Sequence, residues 1–297
     1  TGLGVSAHDT FSLYIRTSQG REYRSDEVQM YPTPPVDSIY YSVAPSNDEL
    51  LIQVDTKDDN PDSPGYYLWD CIETYQYHAP VYSPFKLVNQ IAVARLPEED
   101  VYTCWKDVMV PSVVQSSRKL SQNVISAQRV AVIERYSPKL SIRYSILVRQ
   151  RAISEAEYDF RSRLISTTEQ QGSIFATIPG MVLSNVHSLV DPDEYVLGYF
   201  RAEDVKERRF FLTYSELPDR FQSQRPIKGC APEPTCPEGV EVLGPNICVD
   251  RINLGNQAIT SVLNYPDGSP YYYYWVKPEC GDCRSSGGGV TSRPPFW

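Results

Sequence analysis

Apolar and polar residues alternate along much of the chain, and this period of two predicts β-strands. The clearest run is Lys139–Gln150, in which every second residue is apolar. Weaker runs predict further strands at Ser38–Val43, Leu50–Val54, Tyr66–Tyr77, Val130–Glu134, Tyr195–Ala202 and Arg209–Tyr214. Residues 10–31 alternate on either side of Ser18–Gly20, which predicts a hairpin there.

One segment has a helical pattern instead. Ser154 and Glu157 have the spacing of a capping box, in which each side chain satisfies a free backbone N–H of the first turn. We predict an amphipathic helix near residues 154–171, ending at Gly172. Its apolar stripe is expected to consist of Ile153, Ala156, Phe160 and Leu164.

Changes in composition divide the chain into three parts. The proline-rich segment Tyr31–Pro35 cannot continue a strand ladder, and Pro, Cys and Gly become frequent from Pro218 onward. We predict that residues 1–34 are the C-terminal hairpin of a truncated immunoglobulin-like domain, in a mature or truncated product. Residues 35–217 are expected to form a central β-rich domain with the helix, and residues 218–297 a segment packing on it. The predicted fold class is mostly β, with immunoglobulin-like or β-sandwich domains, one amphipathic helix and a disulfide-stapled C-terminal segment.

Charge and hydropathy narrow the class of protein. The 297 residues carry a formal net charge of −9. Because binding to nucleic acid needs a basic surface, this balance argues against a nucleic-acid partner. The sequence has no uninterrupted apolar run long enough for a membrane-spanning helix.

The cysteines are concentrated near the C-terminus. The chain has 7 of them: Cys71, Cys104, Cys230, Cys236, Cys248, Cys280 and Cys283. All are disulfide candidates, since a Cys-, Gly- and Pro-rich segment is typical of a disulfide-stapled module. Zinc is the alternative, because Cys280 and Cys283 have the spacing of zinc ligands. An odd count leaves at least one cysteine without an intrachain partner, and the pattern favours an extracytoplasmic location.

Candidate chemistry is sparse. The chain has only 3 histidines, far apart in sequence, and the acidic segment Asp55–Asp62 favours a solvated turn over a calcium loop. Ser145 and Cys104 are possible nucleophiles without an activating sequence context. A glycosidase-like pair of carboxylates has no sequence signature, since the fold sets its spacing. We therefore predict no catalytic residues, metal site or cofactor, and a protein that is not an enzyme.

Aromatic residues are the remaining signal, with 22 tyrosines in the chain. Aromatic residues are enriched at interfaces, so Trp69, Tyr272, Tyr274 and Trp275 are candidate binding residues for a sugar or peptide. The alternative is that these rings form core and cross-strand contacts that stabilise sheets.

Several sequence blocks resemble one known family, the domain-of-unknown-function family 4249. These blocks are Pro35–Ser38, Tyr66–Trp69, Glu73–Thr74, Cys104–Trp105, Arg143–Gln150, Gln171–Phe175, Asn185–His187, Val196–Phe200 and Cys280–Trp297. Their order along the chain is more specific than any one block. The resemblance runs from about residue 35 to the end.

The resemblance implies a secreted, lipoprotein-type protein of Bacteroidota with no established catalytic residues. Genes of such proteins commonly lie beside TonB-dependent transporters. We therefore expect a non-enzymatic lipoprotein at the outer membrane, at the cell surface or on its periplasmic side. It would be an accessory subunit of a transporter or other envelope complex, with a barrel protein as partner and membrane contact through a lipid anchor absent from this chain. The alternative is a stand-alone glycan- or peptide-binding surface module. A hydrolase ranks third.

Overall fold

The computed structural model describes residues 9–46, 48–88, 91–118, 120, 122–170, 184–222, 229–234, 257–264 and 270–297. The predicted mostly-β class is confirmed. The strands are β1 (Thr10–Phe11), β2 (Tyr14–Arg16), β3 (Glu22–Ser25), β4 (Val28–Gln29), β5 (Ser38–Val43), β6 (Glu49–Lys57), β7 (Tyr66–His78), β8 (Phe85–Val88), β9 (Ile91–Ala94), β10 (Thr103–Ser116), β11 (Val124–Glu134), β12 (Arg143–Ala152), β13 (Val186–Ser188), β14 (Lys206–Thr213), β15 (Glu233–Pro234), β16 (Ala258–Asn264) and β17 (Pro270–Val276). The helices are α1 (Glu155–Gln170), α2 (Pro278–Gly281) and α3 (Cys283–Gly287), and 3₁₀ turns lie at Pro97–Glu99, Pro138–Leu140, Tyr214–Glu216 and Asp219–Phe221.

The strands form several sheets with different neighbours. Four long strands pair in the order β10-β7-β12-β14, and three others in the order β11-β6-β5. A five-stranded sheet has the order β15-β17-β16-β8-β9, and the small sheets are β13-β3-β2 and β1-β4. The hairpin β2–β3 confirms the predicted hairpin, with Ile15 opposite Tyr23. Strands β5 and β6 form a second antiparallel hairpin, with Tyr41 opposite Ile52.

The chain groups into two compact units. The first consists of residues 1–72, 110–132 and 147–210, and the second of residues 73–109, 133–146 and 211–297. The first unit has a core that includes Leu50, Ile52 and Val54, on alternate positions of β6. The second has Tyr144, Ile146 and Phe221 among its fully buried side chains. Because this grouping cuts the chain at other points than the composition does, the division after residues 34 and 217 stays a prediction.

The strand predicted at Lys139–Gln150 begins later than expected, at Arg143. Pro138–Leu140 forms a 3₁₀ turn, and the hydroxyl of Ser137 accepts a hydrogen bond from the Lys139 N–H at 3.4 Å. Proline favours the first turn of a helix, because its fixed φ is already helical and its missing N–H needs no partner there. This turn becomes part of the candidate site described below.

The predicted helix is present as α1, and the hydroxyl of Ser154 accepts a hydrogen bond from the Glu157 N–H at 3.1 Å. Its expected apolar stripe is wrong in part, since Ala156 is exposed and Leu164 is 41% exposed. Glu157 is buried instead, with carboxylate contacts to arginines. The predicted stop at Gly172 lies outside the described residues.

The prediction of a strand at Tyr195–Ala202 is wrong, because the structure has neither strand nor helix there. Side chains satisfy part of this backbone in place of a neighbouring strand. The Asn185 amide donates to the carbonyl of Phe200 and accepts from its N–H, both at 2.8 Å. Gly198 has a φ of +126°, which interrupts extended backbone.

Two disulfides confirm the stapled C-terminal segment. Cys104 is bonded to Cys283, and Cys230 to Cys280, so the two cysteines of the C-x-x-C motif have different partners. Cys71 is buried and lies outside both disulfides. The candidates Cys236 and Cys248 lie outside the described residues.

α3 ends at Gly287, and Gly288 and Gly289 follow it and allow the last residues to pack closely. The Tyr77 hydroxyl donates to the carbonyl of Cys283 at 2.7 Å and accepts from the Gly289 N–H at 3.0 Å. A Cβ at Gly289 would lie 2.7 Å from the carbonyl oxygen of Trp105, closer than packed atoms allow. Trp105 and Val290 then form a two-residue antiparallel bridge. None of the helices in the described part of the chain is long and apolar enough to cross a membrane.

Candidate functional site

An aromatic cleft lies in the second unit, where the chain leaves β7 and turns back before β12. Its cavity volume is about 430 Å³. The described residues that line it are Tyr77, His78, Ala79, Pro80, Tyr102, Arg135, Tyr136, Ser137, Pro138, Leu140, Ser141, Ile142 and Phe221. We call this cavity the aromatic cleft. Its volume lies within the range of about 300–1,000 Å³ that is typical of small-molecule pockets.

Stacked rings form one side of the aromatic cleft. The imidazole of His78 and the ring of Tyr102 are stacked, with centroids 4.2 Å apart. Tyr82, outside the lining, packs against Tyr102 in an edge-on geometry at 5.2 Å. The phenol of Tyr136 is 40% exposed on the lining. Such rings present apolar faces and hydroxyl groups together, which suits ligands that have both.

The polar side chains of the cleft are held in place by local bonds. The Arg135 guanidinium lies 4.9 Å from the centre of the Tyr136 ring, and its Nε donates to the carbonyl of Arg220 at 2.6 Å. The Ser141 hydroxyl donates to the carbonyl of Pro138 at 2.7 Å. These contacts favour a preformed arrangement of side chains, which lowers the entropic cost of binding.

Burial lowers the pKa of His78 below its ordinary value, against an opposing attraction from the carboxylate of Asp100. A lowered pKa favours the neutral imidazole, in which one ring nitrogen is a donor and the other an acceptor. In that form the ring stacked on Tyr102 presents one donor and one acceptor without adding charge.

A second cavity of about 530 Å³ shares Tyr77, His78, Pro80 and Pro138 with the aromatic cleft. Its other lining residues are Tyr75, Gly229, Cys230, Lys277, Glu279, Cys280, Ser286 and Gly287. The disulfide between Cys230 and Cys280 thus forms part of its wall. His78 therefore lines both cavities, and its side chain is exposed.

The residues proposed from sequence lie elsewhere. Trp69 is not placed to bind a ligand, which corrects the prediction made from sequence. Its side chain has 0% exposure, and its indole N–H donates to the Gln150 amide oxygen at 2.7 Å. Trp275 is partly buried and packs against the cluster of Ile259 and Tyr273. Tyr274 is also partly buried, and the side chain of Tyr272 lies outside the described part of the structure.

Sequence patterns miss the aromatic cleft because its residues come from distant parts of the chain. They lie at 77–80, 102, 135–138, 140–142 and 221, and no short motif joins them. The tyrosine content is the only sequence signal that points in this direction. Within the described residues, no group of three or more His, Cys, Asp or Glu side chains is placed to hold a metal ion.

The first unit has a cavity of a different kind, of about 460 Å³, lined in part by Glu157, Tyr199, Arg201 and Glu203. Glu157 is only 5% exposed. Its carboxylate lies 3.5 Å from Nη1 of Arg201 and 3.6 Å from Nε of Arg161. The Arg201 contact connects the first turn of α1 to a segment outside the helix, whereas the Arg161 contact lies within α1 at i,i+4 spacing.

The ionisation of Glu157 should make stability depend on pH. Burial raises its pKa to about 7, the nearby charges of Glu203 and Asp70 add to this, and Arg201 and Arg151 oppose it. Since the unfolded value is near 4.5, the folded protein binds the extra proton between these values, and stability falls as pH rises from about 5 to 8. We expect Glu157→Gln to reduce this fall in the free energy of unfolding by up to about 3 kcal/mol. The measurement is a denaturant titration of each protein at about pH 5 and at about pH 8.

Asp159→Asn is the control, since Asp159 is an exposed carboxylate on the same helix. It should leave the pH profile of the wild type unchanged. A Glu157→Gln profile that matches the wild type would show that Glu157 does not cause the pH dependence.

Comparison with known families gives one result. A family model described as domain of unknown function (DUF4249) matches residues 3–209. The chain belongs to this family. No curated protein and no solved structure gives a significant match.

The family match confirms the resemblance and changes its limits. It begins at residue 3, whereas the sequence blocks indicated a start near residue 35. It ends at residue 209, so the DUF4249 model does not include the resemblance at Cys280–Trp297, which stays a prediction. Most of the aromatic cleft lies within the matched range, with Phe221 beyond it.

Proposed function

We propose that this DUF4249 protein is a non-enzymatic accessory subunit of a TonB-dependent transporter or another outer-membrane complex, located outside the cytoplasm. In this proposal the aromatic cleft is the surface that captures a ligand for the complex. The two disulfides support the location, because disulfides persist in oxidising compartments. The family resemblance supports the membrane partner by association with transporter genes.

The observation that carries the binding role is the set of rings around His78. His78 and Tyr102 are stacked, and Tyr136 has its ring partly open to solvent on the same lining. Aromatic side chains lose little conformational entropy when they bind, and they are enriched at binding sites. Core packing accounts for Trp69 and for much of Trp275, but it does not account for the exposed part of Tyr136.

The test combines a partner assay with a ligand assay. Native protein is purified from gently solubilised outer membranes, and co-isolated proteins are identified by mass spectrometry. An accessory subunit should bring down a barrel protein in stoichiometric amount. The Tyr136→Ala variant should keep this partner but lose most ligand binding, measured by calorimetry against glycan and peptide panels.

Tyr195→Ala provides the matched control, because Tyr195 is 73% exposed and lies outside the aromatic cleft. It should bind ligand as the wild type does. Absence of any co-isolated envelope protein would contradict the accessory role. Equal ligand affinity in the Tyr136→Ala variant would contradict the assignment of the cleft.

A stand-alone glycan- or peptide-binding module is the second candidate. It is favoured by the fact that all described lining residues of the aromatic cleft belong to one compact unit. A stand-alone module predicts full ligand affinity for the purified chain and no stoichiometric partner. The two assays above therefore separate the candidates.

A further inference from the structure

The segment that follows β13 has a high density of exposed apolar side chains. We call residues 189–198 the apolar loop. Four of its side chains are large, apolar and between 53% and 92% exposed: Leu189, Val190, Tyr195 and Leu197. Single exposed apolar residues are common on protein surfaces, whereas several of them together are typical of an interaction surface.

Hydrogen bonds hold the two ends of the apolar loop in place. At its start, the hydroxyl of Ser188 accepts from the Asp191 N–H at 3.1 Å and so closes a turn. At its end, the hydroxyl of Ser184 donates to the carbonyl of Gly198 at 2.6 Å. The exposed apolar side chains therefore belong to a segment whose backbone is fixed at both ends.

The middle of the apolar loop is attached to β3. The carboxylate of Glu194 accepts a hydrogen bond from the Tyr23 hydroxyl at 2.9 Å and pairs with Nη1 of Arg21 at 3.0 Å. The Leu189 N–H donates to the carbonyl of Glu22 at 2.8 Å. A preformed loop loses less conformational entropy when it binds, so these contacts favour binding by the apolar loop.

The charge of the apolar loop indicates what kind of surface it fits. The loop contains Asp191, Asp193 and Glu194 but no Lys or Arg, and the whole chain has a net charge of −9. Two copies that met through this loop would bring like charges together, and an anionic lipid surface would repel it as well. Charge complementarity therefore favours a protein partner with basic side chains around an apolar pocket.

We propose that the apolar loop docks this protein on its outer-membrane partner, in an apolar pocket of that partner bordered by Lys or Arg side chains. This inference rests on the proposed function, since it requires such a partner, and it adds the surface used and the chemistry of the pocket. The loop belongs to the first unit, whereas the described lining of the aromatic cleft belongs to the second. Docking and ligand capture are therefore assigned to different residues.

The experiment measures binding of the full chain to the barrel protein identified in the partner assay, by surface plasmon resonance. Leu197→Ser and Val190→Ser should each weaken binding roughly ten- to hundredfold, because each loses the burial of one large apolar side chain. Leu197→Met keeps an apolar side chain of similar volume and should retain most of the affinity.

Leu96→Ser is the matched control, because it makes the same change at a leucine that is 55% exposed and lies outside the apolar loop. It should bind the barrel protein as the wild type does. Thermal unfolding of each variant shows that the comparison is between folded proteins. Leu197 is 92% exposed, so its replacement should leave the core unchanged.

A second pair of variants tests the charge of the pocket. Asp193→Lys should slow association with the barrel protein and reduce its dependence on salt, since a charge at the rim of an interface acts mainly on the rate of encounter. Asp62→Lys makes the same change in net charge at an exposed residue outside the loop and should leave both quantities as in the wild type. Equal association rates for Asp193→Lys and Asp62→Lys would overturn the basic border of the pocket.

The remaining outcomes separate this inference from the proposed function. If Leu197→Ser and Val190→Ser bind the barrel protein as the wild type does, the docking role of the loop is overturned and the accessory role stays. If the wild type brings down no barrel protein, both are overturned. Binding to vesicles of phosphatidylethanolamine and phosphatidylglycerol, or sedimentation as a dimer, that Leu197→Ser abolishes would assign the loop to lipid or to a second copy and would also overturn the inference.

Discussion

Replacing both Cys104 and Cys283 with alanine is expected to lower the free energy of unfolding by about 5 kcal/mol. Their disulfide joins residues that are 179 positions apart in sequence. In the chain-entropy account, a cross-link stabilises a protein by restricting the unfolded chain, and the effect grows with the logarithm of the loop length. Both cysteines have 0% exposure, so the variant also loses the buried contacts of two sulfur atoms. Guanidinium titrations of the wild type and of the double variant, each under non-oxidising and oxidising conditions, measure the difference in the free energy of unfolding.

Cys71→Ala is the control for this prediction. Cys71 is equally buried, at 2% exposure, but lies outside both disulfides. Cys71→Ala should lower the free energy of unfolding by about 1 kcal/mol, the loss expected when one buried sulfur is removed. A double variant that loses no more than Cys71→Ala would show that the disulfide adds nothing beyond packing.

Local sequence signals were sufficient where neighbouring residues decide the structure. Strands β5, β6 and β7 and the N-terminal hairpin follow from alternation, and α1 follows from the pairing of Ser154 with Glu157. The presence of disulfides in the C-terminal segment follows from the density of cysteines, although their pairing does not. Each of these features depends on residues close together in sequence or on composition alone.

Distant contacts decided the features that the sequence did not predict. Tyr195–Ala202 alternates as a strand does, but the side chain of Asn185 bonds the backbone of Phe200. The buried face of α1 includes Glu157 because Arg201, far along the chain, supplies a countercharge. Periodicity reports hydrophobicity along one element and has no information about such partners.

The candidate site shows the same limit. Trp69 and the run containing Trp275 are prominent aromatic residues in sequence, yet packing accounts for Trp69 completely. The aromatic cleft uses Tyr102, Tyr136 and His78, which no local motif singles out. Their proximity follows from sheet pairing, since β7 lies between β10 and β12. An excess of tyrosine predicts aromatic surfaces but not their place.

The wall of the aromatic cleft depends on a buried ion pair. Glu73 is 2% exposed, and its carboxylate accepts hydrogen bonds from the Lys139 ammonium and from the Tyr144 hydroxyl, the latter at 2.9 Å. Lys139 belongs to the turn that contributes Pro138 and Leu140 to the lining. This contact therefore fixes the turn against β7.

Replacing Lys139 with methionine should lower the free energy of unfolding by about 3–5 kcal/mol, because it leaves the Glu73 carboxylate buried without its cation. Lys57→Met is the matched control. Lys57 pairs with Asp59 in an ion pair whose side chains are 55% and 78% exposed, and its loss should cost under about 1 kcal/mol. Denaturant titrations of both variants measure the difference.

A second substitution identifies the cause of that loss. Adding Glu73→Gln to Lys139→Met removes the unpaired charge, and the neutral amide keeps the shape of the side chain and its contact with Tyr144. The double variant should therefore be more stable than Lys139→Met alone, since breaking a buried pair is costly mainly through the charge left behind. Equal stability of the single and double variants would mean that the unpaired charge of Glu73 is not the cause of the loss in Lys139→Met.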